Sequence, residues 1–292
     1  MDWQSGQMSN DIEDRREDSG SGGGGFGGGG VGIVGVLVLL VVSLITGRNY
    51  LGAFLHGGGA QTAPSAETQR EVPRSMSTQE EDRDAHLISW TLNDVQKFWT
   101  GNFEQHGREY THAKLVLFRN QTYSGCGTAE SATGPFYCPA DQKVYIDLGF
   151  WDELKKFGGS TADFAQAYVI AHELGHHVQN LLGTEEKVQR LMRAEPSEKN
   201  HLSVDLELQA DCYAGVWAHS AQQRGVIHDA DIHDALSAAA AVGDDHLQKM
   251  SGRSVSPESW THGSSQQRET WFKRGFTGGD LSSCNTFGGS SN

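Results

Sequence analysis

Apolar residues return at intervals of four and three along residues 160–182. Phe164, Tyr168, Ala171, Gly175, Val178 and Leu182 share one face of a helix at 3.6 residues per turn. Ser160 and Asp163 form a candidate capping pair at its start, and Gly183 is a natural stop. A second helix is predicted from about Val204 to Gln223, between Ser203 and Gly225, and a third over about Asp231 to Met250. A short fourth begins at Ser264, with Gln267 three residues on, and ends at Gly275. Upstream, residues 77–105 carry helical spacing through Leu87, Trp90, Val95, Phe98, Trp99 and Phe103. Strands are predicted over Ala113 to Phe118, Phe136 to Cys138 and Lys143 to Leu148, the last two flanking a turn with Pro139 at the position that fixes φ. Helices dominate around a small strand-rich unit, so the class is α+β, mainly helical with a small β-sheet.

The N-terminal part follows other rules. From Val31 to Thr46 the chain reads VGIVGVLVLLVVSLIT, with no charge and no polar face. A soluble core helix keeps a polar side, and a cleavable signal peptide begins nearer Met1 and ends in small residues, so an uncleaved transmembrane helix is predicted over residues 31–50. Four segments result. Residues 1–30 are a polar and Gly-rich cytoplasmic leader, 31–50 the membrane anchor, 51–76 a flexible linker, and 77–292 a folded domain.

A formal net charge of -14, with no basic stripe, argues against nucleic-acid binding. The four cysteines, Cys126, Cys138, Cys212 and Cys284, form no C-x-x-C pair. They suit disulfides in an oxidising compartment, or four buried thiols in a cytosolic protein. Three pairings are possible. Cys126 with Cys138 across a short loop, and Cys212 with Cys284 tying the tail to a helix, is the favoured one. With the apolar run ahead of them, the cysteines place the domain outside the cytoplasm, periplasmic or at the cell surface.

The long helix of residues 160–182 contains His172-Glu173-Leu174-Gly175-His176, an H-E-x-x-H motif. One helical turn sets His172 and His176 on the same side, where two imidazoles can bind one metal ion, and Glu173 lies beside them as a base for a water on that ion. The longer pattern that supplies a third histidine fails, because Gln179 replaces its glycine and Leu182 its histidine. The next helix offers Glu207 and Asp211 on one face among apolar neighbours. Burying both carboxylates requires compensation. Zinc held through Glu207 provides it, with Asp211 accepting the ring N–H of a ligating histidine.

HELGH followed at this separation by ELQAD resembles the gluzincin metallopeptidases. The layout is similar to the bacterial membrane-anchored family called putative neutral zinc metallopeptidases. The shared features are an EDRR leader, a glycine-rich spacer, one apolar span, S-G-C-G at 124–127, GPFYCPADQKVYIDLGFW at 134–151, AHELGHHVQN at 171–180, ELQADCYAGVWAH at 207–219 and THGSSQQR at 261–268. The resemblance implies a zincin-like domain, Zn2+ bound by His172, His176 and Glu207, Glu173 as general base, and a peptide or protein substrate.

The expected reaction is peptide hydrolysis by zinc-activated water. His262 is the candidate donor to the oxyanion, with Arg268 and Tyr123 behind it, and Lys143 to Leu148 a candidate edge strand for an extended peptide. The competing reading is a membrane-tethered, non-catalytic interaction protein with a structural zinc site. Retention of Glu173 speaks against it, since a structural site has no use for a base.

Overall fold

The structure is a computed structural model that describes residues 1–18 and 78–288. The predicted anchor and linker lie outside the described residues. Among the described residues no helix is long and apolar enough to cross a membrane.

A four-stranded sheet is built from β1 (Ile12–Asp14), β2 (Lys114–Phe118), β5 (Phe136–Cys138) and β6 (Lys143–Asp147), in the order β1-β2-β6-β5. β1, β2 and β6 run parallel, and β5 is antiparallel to β6. Alternation along β2 divides its faces as a period of two requires. Leu115 and Leu117 enter the main core, while Val116 and Phe118 join a smaller cluster with Ala129, Cys138 and Tyr145. That smaller cluster lies under a hairpin of β3 (Gln121–Ser124) and β4 (Gly127–Glu130), pinned by the Cys126–Cys138 disulfide.

The helices are α1 (Thr78–Gln105), α2 (Phe150–Lys156), α3 (Asp163–Leu181), α4 (Thr184–Ala194), α5 (Lys199–Gln223), α6 (Asp229–Ala241), α7 (Asp244–Met250) and α8 (Ser265–Gly278). Inside α3, fifteen residues are buried. This helix packs against α1, α5 and α6, so it is the centre of the domain rather than an amphipathic surface helix. α5 is held equally closely by α8. A Cβ on Gly275 would lie 1.9 Å from the Cys212 carbonyl oxygen, and one on Gly215 would lie 2.2 Å from that of Phe272. Only glycine permits the two backbones to approach this far. The Cys212–Cys284 disulfide then ties the tail to α5.

Four expectations are corrected. The strand Lys143–Leu148 is not an edge: β6 is hydrogen-bonded to β2 on one side and β5 on the other, and the edge strands are β1 and β5. The predicted helix Asp231–Met250 is broken at residues 242–243, where a Cβ on Gly243 would lie 2.4 Å from the Ser265 backbone nitrogen at the start of α8. Ser160 does not cap α3. Its hydroxyl donates to Asp234 at 2.8 Å, and Ala162 occupies the capping position.

The fourth correction concerns residues 1–30. Residues 1–18 are not a separate leader but part of the domain. β1 extends the sheet beside β2, and Asp11, Glu13 and Arg16 pair with Lys114, Lys143 and Asp82. In sequence these residues read as a solvated charged stretch, because their partners lie far along the chain.

Candidate metal centre

The centre forms where α3 and α5 touch. A Cβ on Gly175 would lie 3.0 Å from the carbonyl oxygen of Ala210, so this glycine sets the separation of the two helices. Glu207 lies about one turn before Ala210 and Asp211 directly after it, which brings Glu207 to both His172 and His176 and Asp211 to His172.

Each imidazole has one nitrogen committed. His172 Nδ1 donates to Asp211 Oδ1 at 2.8 Å, and His176 Nδ1 donates to Gln179 Oε1 at 2.9 Å. The Gln179 amide is fixed in turn, since its nitrogen donates to the Leu206 carbonyl at 2.7 Å and to Gln209 Oε1 at 3.1 Å. Both Nε2 atoms are left facing Glu207, 3.2 Å from Oε2 for His172 and 3.5 Å from Oε1 for His176. With Nδ1 protonated, three lone-pair donors converge within 4.8 Å of one another. Such a set is repulsive unless protons or a cation lie among them. The two imidazole–carboxylate separations are close to the edge of about 3.3–3.6 Å expected for zinc ligands at about 2.0–2.2 Å in a tetrahedral site. Two imidazoles and a carboxylate, leaving a fourth position open, fit Zn2+ as donors too.

Asp211 is fully buried and fully used. Besides His172 it accepts Arg268 Nε at 2.8 Å, Arg268 Nη2 at 3.0 Å and the Tyr168 hydroxyl. Burial by itself would raise its pKa, but the Arg268 guanidinium and His172 draw it down to about 2. For His172, burial opposes the charged form and the Asp211 and Glu207 carboxylates outweigh it, taking the imidazole up to about 10. Glu207 stays well below the carboxylate range despite burial, held there by His262, His176 and His172. Glu173 is shifted the other way, upward by burial, with His172 and His176 opposing.

Glu173 and the three converging ligands line a cavity of about 440 Å³. The lining includes an apolar wall of Phe136, Tyr137, Phe150, Leu154, Phe157 and Val169. Among the described residues Glu173 has no hydrogen-bond partner, so its carboxylate is available to a group in the cavity.

His262 also lines the cavity, on a loop organised by Asp244. One oxygen of Asp244, Oδ2, accepts the backbone N–H groups of Thr261 at 2.8 Å, His262 at 2.7 Å and Gly263 at 3.0 Å. The other, Oδ1, lies 3.6 Å from His262 Nδ1, which also contacts the Thr261 hydroxyl at 2.9 Å. Burial opposes charge on His262, and Glu207 and Asp244 favour it and prevail.

Of the residues singled out from sequence, His172, His176, Glu207, Glu173, Asp211, His262 and Arg268 share this centre. Tyr123 does not: it stands 66 % exposed on the β3–β4 hairpin. Arg268 is committed to Asp211 rather than free for a substrate. Both favoured disulfides are formed, with Cα–Cα separations of 5.8 Å for Cys126–Cys138 and 5.5 Å for Cys212–Cys284. Sequence reasoning missed Gln179 and Asp244. Gln179 lies one turn past His176, a spacing that was a usable signal. Asp244 had none, being far in sequence from the loop it holds.

Comparison with known proteins agrees with the geometry. The chain is 49% identical over 290 residues to the uncharacterized protein YpfJ of Escherichia coli K12, covering 99% of both chains. It is 47% identical over 189 residues to the uncharacterized protein Rv2575 of Mycobacterium tuberculosis H37Rv, covering 61% of this chain and 63% of that one. No solved structure matches. The family model described as "putative neutral zinc metallopeptidase" matches residues 1–287, which takes in the segment that carries β1 as well as every residue of the candidate centre, and the chain belongs to that family.

Proposed function

We propose that this protein is a zinc-dependent peptidase in which His172, His176 and Glu207 hold the ion and Glu173 is the general base. The observation that carries the proposal is the convergence of two Nε2 atoms and one carboxylate, with an unpartnered buried acid beside them in an open cavity. Zinc, when bound, supplies Lewis acidity toward a water and a substrate carbonyl.

The remaining work falls to side chains. Glu173, made more basic by burial, takes a proton from the attacking water and returns it to the leaving amine nitrogen. His262, oriented by Asp244, donates to the carbonyl oxygen as negative charge gathers on it. The outer edge of β5 receives an extended peptide by main-chain hydrogen bonds, since Phe136 and Tyr137 of that strand line the cavity. The apolar wall takes a substrate side chain. The run of residues 31–50 attaches the enzyme to a membrane, and the two disulfides favour an oxidising compartment. An open cavity holding a free carboxylate argues against a purely structural zinc site.

Zinc analysis of the purified full chain, with digestion of a peptide mixture in the presence and absence of chelator, tests this reading. Stoichiometric zinc and chelator-sensitive cleavage are expected. Glu173→Gln should keep its zinc and lose cleavage by a factor on the order of 10²–10⁴. A zinc-loaded wild-type protein that cleaves nothing in the mixture would overturn the proposal.

A further inference from the structure

The two ends of the segment that holds the apolar run lie side by side. Arg16 Nη1 is 3.2 Å from Asp82 Oδ1 and 3.5 Å from the Glu81 carbonyl oxygen, so the end of the N-terminal segment and the first turns of α1 meet at one place. The contact is one of many. β1 is hydrogen-bonded to β2, with Ile12 opposite Leu115 and Asp14 opposite Leu117. The Arg15 amide donates to the Leu117 carbonyl at 2.8 Å, and the Asp2 amide to that of Val226 at 2.7 Å. Trp3 donates to Asp163 at 2.7 Å, and the Arg83 guanidinium sits over its ring. Met8 and Ile12 pack against the main core.

A polar strand integrated this way cannot lie across a bilayer from the sheet it completes. One crossing between residues 18 and 78 would separate them. Two crossings need about 40 apolar residues, at about 20 for each helix. The connecting segment holds one apolar run, Val31 to Thr46, followed within two residues by Arg48. We propose that residues 1–18 and 78–288 occupy the same side of the membrane.

The test uses the full chain in intact cells. Gln4→Cys and Lys187→Cys, both at exposed positions, are made singly in the background whose own cysteines are paired. Each is treated with a membrane-impermeant maleimide before and after permeabilisation. Labelling of both sites before permeabilisation, or of neither, is the expected result. Labelling of one alone overturns the proposal. Independently, Ser9 Oγ lies 2.6 Å from Asn93 Oδ1, so a Ser9→Cys/Asn93→Cys pair should be joined by a short thiol cross-linker in membranes at the mass of a single chain. Absence of that product with both thiols shown to be reactive would also overturn it.

Discussion

Asp211 accepts the Nδ1–H of His172 at 2.8 Å while gripping Arg268 through both of its oxygens. One buried carboxylate therefore fixes an imidazole tautomer and neutralises a buried guanidinium. Asp211→Asn leaves an acceptor for the imidazole but removes the charge that balances Arg268. Zinc affinity should fall about 10–100-fold, the range for loss of a partner to a ligating histidine. Stability should fall with it, because a buried charge without its partner costs about 3–5 kcal/mol. Competition against a fluorescent zinc chelator and thermal melting of the metal-free protein read the two effects separately. Unchanged affinity would show that Asp211 is there for Arg268 alone.

Gln179 does for His176 what Asp211 does for His172, but as a neutral acceptor. Gln179→Leu keeps the volume and removes the acceptor at 2.9 Å, together with the bonds that lock it to Leu206 and Gln209. The His176 ring N–H and the Gln209 side-chain oxygen lose their partners, so a loss of about 1–3 kcal/mol is expected, with weaker zinc binding. The effect on zinc should be smaller than that of Asp211→Asn, since no charge is lost. The same titration ranks the two variants.

Asp244 holds the His262 loop through three backbone N–H groups, so its removal should displace the proposed oxyanion donor without touching a proposed zinc ligand. His262→Ala should lower kcat by about 10²–10³ with zinc content unchanged. Asp244→Asn should give a smaller drop, falling on kcat more than on KM. Its pH dependence has a definite sign. Burial would raise the Asp244 pKa, but His262 and the backbone N–H groups prevail and lower it. A carboxylate lowered on folding contributes stability above its unfolded value, about 3.9, and that contribution is lost as pH falls through the folded value. The stability advantage of wild type over Asp244→Asn should therefore be full near neutral pH and shrink below about pH 4. An advantage that grows with acid would contradict the assignment.

The grouping of the candidate site residues was legible in sequence because each set is local. His172, Glu173 and His176 sit within one turn of α3, and Glu207 and Asp211 within one turn of α5, so helical periodicity alone places each set on a face. The strands β2, β5 and β6 were legible for the same reason. Strand order was not. β6 reads like any exposed alternating strand until β5 and β2 are seen on either side of it. β1 was invisible because Ile12, Glu13 and Asp14 look like part of a charged tail, and their pairing with Leu115, Val116 and Leu117 depends on contacts about a hundred positions away. The break between α6 and α7 was hidden likewise, since the group that makes Gly243 necessary belongs to α8.

The two disulfides should differ in consequence. Cys212 and Cys284 are 72 positions apart and Cys126 and Cys138 only 12, so restriction of the unfolded chain contributes about 4 kcal/mol for the first and about 3 kcal/mol for the second. Their positions separate them further. Cys212 follows Asp211 directly, and the Cys284 carbonyl accepts the Gln209 amide at 3.0 Å, the same Gln209 that braces Gln179 beneath His176. Losing this bridge loosens both supports of the zinc ligands, whereas Cys126–Cys138 lies under the hairpin on the other face of the sheet. Cys212→Ser/Cys284→Ser should thus lower the melting temperature by on the order of 10 °C and weaken zinc binding as well. Cys126→Ser/Cys138→Ser should lower the melting temperature somewhat less and leave zinc affinity near wild type. Melting curves and zinc titrations on both double variants decide the matter, and equal loss of zinc affinity in the two would show that the tail plays no part in holding the centre.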